Sequence, residues 1–494
     1  MFVNRTSLLA LVLASALTAF SQSNNISYED FFNNSKSSYY QHNESAAQFY
    51  DSFREKANKA YIEFLKSAWG DFEAYAPVPQ PKKTPVPPKP YTEPIDEKPI
   101  EIVPHEEPVP DVEPQPQPIE PIEEKPTPSI DQVTFDFYGI QENIRIPKFA
   151  RISNFIRNNE HLAASWDSLC QDEIDNTLYD CLQIRQKYGL CDWAYLQMLD
   201  KLSTKVCGNG NGATLLMAFL YCQCGYQMRL AWDGPTLHML YGSLHAIFDQ
   251  GYFNIDGTKF YPYGDTSDKI QICAAEFEGE TPLSLLIPSA QPFVGNLSQN
   301  RIIKSKRYSD AIATSNVYTN LIEFYNSYPT SAMNNNPMTR WAMYASTPLS
   351  SKTKEVLYPG LRKAIQNKTK LQAAEILLNW VQTGFVYEYD DKVWGQDRAF
   401  FAEESLYYPY CDCEDRSILF SRLVRDLLGL DVALIYYPGH LATAVYFDSE
   451  VRGDKMLIDN RKFVVCDPTY IGAPVGAQMP GLEYDKAEAI MLNK

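Results

Sequence analysis

CDCEDRSILFSRLVRDLLG (411–429), YYPGHLATAVYF (436–447) and KFVVCDPTY (462–470) carry the pattern on which this chain turns. After Cys413, the residues Ile418, Leu419, Leu423, Leu427 and Leu428 recur at helical spacing, and Gly429 stops the run, so a helix opening at Cys413 is expected. Pro438-Gly439 marks a turn, and HLATAVYF alternates like a strand headed by His440. FVVC is a further strand, ending at Asp467 ahead of Pro468. A thiol at a helix start faces unpaired N–H groups and the positive dipole end, both of which favour thiolate. Glu414 and Asp415 oppose that charge, so the helix and His440 must outweigh them. Asp467 is suited to accept the imidazole N–H and fix its tautomer. Cys413, His440 and Asp467 thus read as nucleophile, base and orienting acid.

Other readings of these residues stay open. Cys411 could be the nucleophile, although it lies two residues outside the helix start. Cys411, Cys413, Cys466 and His440 could bind zinc, although C-x-C is not the usual ligand spacing. Cys466 sits beside Asp467 on an alternating strand and should point to the opposite face. The Cys413 backbone N–H is the expected oxyanion donor; a second donor has no sequence signal.

The three segments resemble the transglutaminase-like superfamily of papain-like fold, in particular exported bacterial members. Cys413-Glu414-Asp415, Gly439-His440 and Asp467-Pro468-Thr469 match its pattern position by position. The resemblance is strong for about 330–475, weaker for 150–265, and absent elsewhere. It implies an α+β core in which the Cys helix packs on an antiparallel sheet. The implied activity is attack on a carboxamide or peptide carbonyl through a thioester, released to water or to an amine. No cofactor and no metal are implied, and the substrate would be a peptide, a protein or a cell-wall peptide.

An internal repeat extends the resemblance to an earlier part of the chain. NGNGATLLMAFLYCQCGYQMRL (209–230) matches CEDRSILFSRLVRDLLGLDVAL (413–434) without a gap at an offset of 204, and IDGTKF (255–260) matches IDNRKF (458–463) at 203. The papain-like core is therefore expected twice, at 132–265 and 333–494, with a β-rich segment at 266–332 between the copies. In the first copy Asn209 replaces the thiol, Cys207 takes the place of Cys411, and Gly264, beside Asp265, takes that of Asp467. His245 or His238 would be the counterpart of His440. Amide for thiol removes the nucleophile, so this copy is read as degenerate, kept for packing or substrate binding, with Cys207 as the one candidate for a cryptic site.

The remaining chain is organised by composition. Arg5 and LLALVLASALTAF (8–20) form a signal peptide over 1–21, with cleavage expected before Gln22, so the mature protein is expected in the periplasm or outside the cell. No later run is long enough for a transmembrane helix. Residues 22–76 hold an amphipathic helix, with Phe49, Phe53, Tyr61, Phe64, Leu65, Trp69 and Phe72 largely on one stripe. That stripe would dock on the protein's own globular part or on an envelope or protein partner. Residues 77–131 read as a polyproline spacer, holding 18 of the 33 prolines, between that helix and the globular part. A net charge of −17 without a basic stripe excludes nucleic acid as a partner. Ten irregularly spaced cysteines are compatible with one or two disulfides that sequence cannot pair. The sequence thus supports two functions: a cysteine-dependent amide or peptide hydrolase or acyltransferase, or a non-catalytic envelope binding or scaffold protein.

Overall fold

A computed structural model describes residues 53–81, 84–92, 99–108, 114–126, 130–333 and 336–492. Residues 1–21, expected to be a signal peptide, and Phe49 lie outside the described residues. The chain divides before Asn58. Residues 53–57 are the opening turn of a helix that runs to 67, and the folded body is built from Asn58 onward.

The architecture is α+β, built around two curled, mainly antiparallel sheets. Edge to edge, the first runs Trp69–Glu73, Lys269–Cys273, Met228–Asp233, Thr236–Gly242, Thr258–Pro262, Phe253–Ile255. The second runs His105–Glu107, Glu488–Met491, Val432–Tyr437, His440–Tyr446, Arg461–Cys466, Lys455–Ile458, Glu101–Ile102. The first sheet has six strands and the second seven, but the four strands around the central hairpin follow the same order and register in both. Asp233 faces Thr236 where Tyr437 faces His440, at an offset of 204. Leu240 faces Pro262 where Ala444 faces Val465, and Ile255 faces Thr258 where Ile458 faces Arg461.

Each central hairpin is preceded by a helix, Asn211–Gln223 in the first half and Cys413–Leu428 in the second. The Cys413 helix is tied to its sheet by Ser417 Oγ donating to Leu441 O at 2.9 Å. The strands it covers are buried along nearly their whole length, so both faces are packed. The far face holds Ile435, Ala442, Ala444, Phe463 and Val465 in one apolar cluster.

The N-terminal region departs from its sequence reading in two ways. The helix stops at 67, and Trp69–Glu73 is an edge strand paired antiparallel to Lys269–Cys273, so Trp69 and Phe72 are not on the helix stripe. Part of the stripe is covered within the chain, while Phe64 is exposed. Tyr61 and Leu65 are buried, Tyr61 stacks near Trp166, and Asn58 bonds both Trp166 and Gln223. The Pro-rich stretch, in turn, is not a free spacer. Glu101–Ile102 and His105–Glu107 add parallel strands to opposite edges of the second sheet. Only residues 103 and 104 lie between them, a reach of at most about 11 Å, so the sheet must curl until its edges approach. Further along, Gln115 donates to Leu190 O, Arg185 donates to Pro116 O, and Asn176 bonds Lys125 in both directions. Proline-rich chain cannot build a core, yet its unpaired carbonyls and few N–H groups can be satisfied by edges of another.

The segment 266–332, expected to be β-rich, also holds the helix Thr319–Asn326, in which Leu321, Ile322, Phe324 and Tyr325 are buried together at helical spacing. All ten cysteines are free thiols. Among the described residues, no helix is long and apolar enough to cross a membrane.

The docking of the Pro-rich stretch can be tested at one glycine. Gly225 has φ +93°, and an added Cβ would overlap the Gln117 carbonyl, whereas Gly257, at φ +87°, has open space around it. Gly225→Ala should cost at least ~2 kcal/mol in urea unfolding and Gly257→Ala about 1 kcal/mol. Equal losses would mean that the Pro-rich stretch does not press on Gly225.

Candidate active site

Cys413 is the first residue of its helix, with Asp412 as the N-cap. The Asp412 N–H donates to Asp415 Oδ2 at 3.1 Å, and Asp415 Oδ1 accepts the Phe400 N–H at 2.8 Å, which fixes the turn presenting the thiol. His440 opens its strand directly after the Gly439 turn residue, which has φ +80°. Asp467 follows the strand Arg461–Cys466. Its Oδ1 accepts N–H groups of Thr469 (2.8 Å) and Tyr470 (3.2 Å), leaving Oδ2 for His440 Nε2 at 2.8 Å.

The structure brings these three predicted residues together in a closed interior. Cys413 and His440 are 0% exposed and Asp467 1%. Burial alone would push the imidazole pKa down; the Asp467 carboxylate and the nearby Cys413 thiol outweigh it and raise His440 to about 10. His440 Nδ1 has no well-formed hydrogen-bond partner. The thiol instead points its better bond at Glu414 Oε2, 3.1 Å away. Glu414 is therefore more than the bystander anion its position in sequence suggests: it competes with the imidazole for the thiol proton. Asp415 is pushed well above the carboxylate range by burial and then by Asp412 and Asp390, so the helix start carries less negative charge than its sequence implies.

The other candidates separate from this set. Cys411 lies on the strand Tyr410–Cys411, paired with Val386–Tyr387; its thiol faces Val386 O, and burial raises its pKa. Burial also pushes Cys466 up, with its thiol on Val464 O. Cys411, Cys413, Cys466 and His440 form no common ligand set. Among the described residues, the groups that converge closely enough for a cation are carboxylate-rich: Asp412 with Cys413 and Glu414, Asp390 with Asp412 and Asp415, and Asp390 with Asp397 and Glu414.

The first half holds a different arrangement at the same place. Asn209 precedes the helix instead of opening it, and Asn211 is the first helical residue. The Asn211 amide donates to Phe155 O and Pro235 O and accepts from Leu237 N, stapling helix to strand. By strand register Thr236, not His245 or His238, stands where His440 does. Burial lowers both histidines, His245 to about 4, and Ser284 is the side chain His245 meets. Cys207 is the last residue of the helix Asp192–Cys207, at the negative dipole end, and burial raises its pKa. That position disfavours a thiolate.

Two supporting residues carried no sequence signal. Gln382 Nε2 donates to the carbonyls of Asp467, Tyr470 and Ala473, and its Oε1 accepts Gly472 N–H, so one buried amide holds the carboxylate loop. Arg416, also buried, donates to Gln382 O and Phe385 O. Their roles are legible only once the loops whose carbonyls they hold are in place. No known family profile, curated protein or solved structure matches this chain.

The raised His440 pKa fixes the sign of a pH effect. The imidazolium is favoured by folding, so its contribution is complete below about 6.5 and fades as pH rises through about 10. The stability advantage of the natural protein over Asp467→Asn should thus be largest near pH 6 and shrink toward pH 10 in urea titrations. A gap that widens with pH would mean that His440 is held neutral.

Proposed function

We propose that this chain is an exported, cysteine-dependent hydrolase or acyltransferase of amide or peptide bonds, with a transglutaminase-like, papain-like core duplicated in the two halves and chemistry kept in the second. The observation that carries the reading is the 2.8 Å contact of His440 Nε2 with Asp467 Oδ2 beside a thiol at a helix start. An imidazole so held leaves Nδ1 for the cysteine. The Cys413 thiolate attacks the substrate carbonyl carbon, and the oxyanion takes the Cys413 backbone N–H. His440 as imidazolium then gives its proton to the departing amine, and a thioester remains. Water or a second amine, deprotonated by the now neutral His440, attacks the thioester and returns the thiol. Shared strand order and register support the duplication, and Asn211 with Thr236 in place of thiol and imidazole supports a first half without chemistry.

A second reading, a non-catalytic envelope binding or scaffold protein, is favoured by the complete burial of the thiol and its bond to Glu414. The two differ in a covalent product. With a panel of peptide thioesters and activated esters, the enzymatic reading expects an acylated Cys413 by mass spectrometry. Acylation should be lost in Cys413→Ala and reduced at least a hundredfold in His440→Gln. Cys411→Ala and Cys207→Ala should stay within twofold of the natural protein. Acylation that persists in Cys413→Ala would remove the assignment.

A further inference from the structure

Cys413 sits in a closed interior, and the Pro-rich stretch bonds to the loops next to its two partner residues. Residues 84–91, Thr-Pro-Val-Pro-Pro-Lys-Pro-Tyr, lie extended across the two loops that present the imidazole and the carboxylate. At one end the Val86 N–H donates to Gly439 O, next to His440, at 2.9 Å. The backbone comes so close there that a Cβ on Gly439 would overlap the Thr84 carbonyl. At the other end Tyr91 N–H donates to Ile471 O and Ile471 N–H donates to Lys89 O, both at 2.9 Å, while Tyr91 packs edge-on to Tyr470. Lys89 Nζ adds a bond to Pro480 O at 2.6 Å.

The chain just before this segment closes a second side. Gln80 holds Asp397 through both its backbone carbonyl (2.9 Å) and its carboxylate (2.6 Å). Pro81, Asp397 and Tyr436 line a cavity of about 130 Å³. The Asp397 carboxylate in turn comes within 4.8 Å of that of Glu414, the group bonded to the Cys413 thiol.

We propose that residues 84–91 are an in-chain occupant of the approach to Cys413, and that the substrate replacing them is an extended peptide bonded through the same backbone groups of Gly439 and Ile471. The substrate part rests on the activity proposed above. The bonding is that of an added strand: main-chain hydrogen bonds hold an extended segment, and side chains such as Val86 and Tyr91 enter apolar ground beside the sheet. Proline suits an occupant meant to stay intact and to leave, because it is pre-extended and forms few bonds of its own.

The test uses the full chain. Val86→Pro with Tyr91→Pro deletes two N–H donors without disturbing an extended backbone. Lys89→Ala, removing only a solvent-facing bond, is the milder second variant. Labelling of Cys413 is followed by mass spectrometry, with a neutral aromatic disulfide at pH 9 reporting access and iodoacetamide at pH 6.5 reporting thiolate. Access should rise at least tenfold in the double variant and by a smaller factor in Lys89→Ala. The synthetic peptide TPVPPKPY, added in trans, should return it toward the natural rate, and a scrambled peptide should not. Equal access in the natural protein and both variants overturns the occupant, and a peptide without effect overturns the peptide-binding assignment. Access that rises at pH 9 while iodoacetamide reacts no faster than with an ordinary thiol keeps the occupant and overturns the enzymatic reading instead.

Discussion

The contact between His440 and Asp467 is the constraint around which the second half is built, because it places a charge-bearing pair where no water reaches it. A buried ion pair is tolerated only when its remaining lone pairs and protons find partners. Here two backbone N–H groups saturate the other carboxylate oxygen, and Gln382 ties down the three carbonyls and the amide around that loop. The helix start meets the same demand through Asp415, which takes two N–H groups and is pushed toward its neutral form. His440 Nδ1 is among the buried polar atoms without such a partner.

The two halves supply the comparison that makes this legible. Each has a helix laid against the same hairpin in the same register, so the scaffold does not require the triad. Where the second half has thiol and imidazole, the first has Asn211 closing three hydrogen bonds, to Phe155, Pro235 and the strand residue Leu237. The helices also begin differently. Only Gly208, Asn209 and Gly210 connect the first helix to its predecessor, whereas residues 385–412, with two short helices among them, separate Cys413 from the helix Lys370–Gly384. That longer connection carries Asp390 and Asp397 to the helix start and supplies the Phe400 N–H that holds Asp415.

Much of the second half is legible in the sequence. Helical spacing after Cys413 and alternation after Gly439 are local signals, and the 204-residue repeat survives as strand register. Other features are not local. Trp69 and Phe72 fit a helical stripe, but an open edge at Lys269–Cys273 recruits them as a strand. Residue type points to a histidine as the counterpart of His440, although the 204-residue offset, kept as strand register, selects Thr236. Proline content rightly excludes a core for 77–131 and misleads about separation, since docking depends on edges and carbonyls contributed by residues hundreds of positions away. The place of Glu414 in the first turn can be read from sequence, but its bond to the thiol depends on a rotamer, which spacing does not encode.

The protonation state of His440 decides whether the buried trio is charged. Nitrogen-15 chemical shifts of the imidazole, assigned with His440→Gln, distinguish an imidazolium from a neutral ring. An imidazolium that persists at pH 8 and titrates near 10, falling toward the ordinary range in Asp467→Asn, is the predicted result. A neutral ring at pH 8, titrating at or below 6.5, would contradict it and leave the buried trio without the charge separation its chemistry needs.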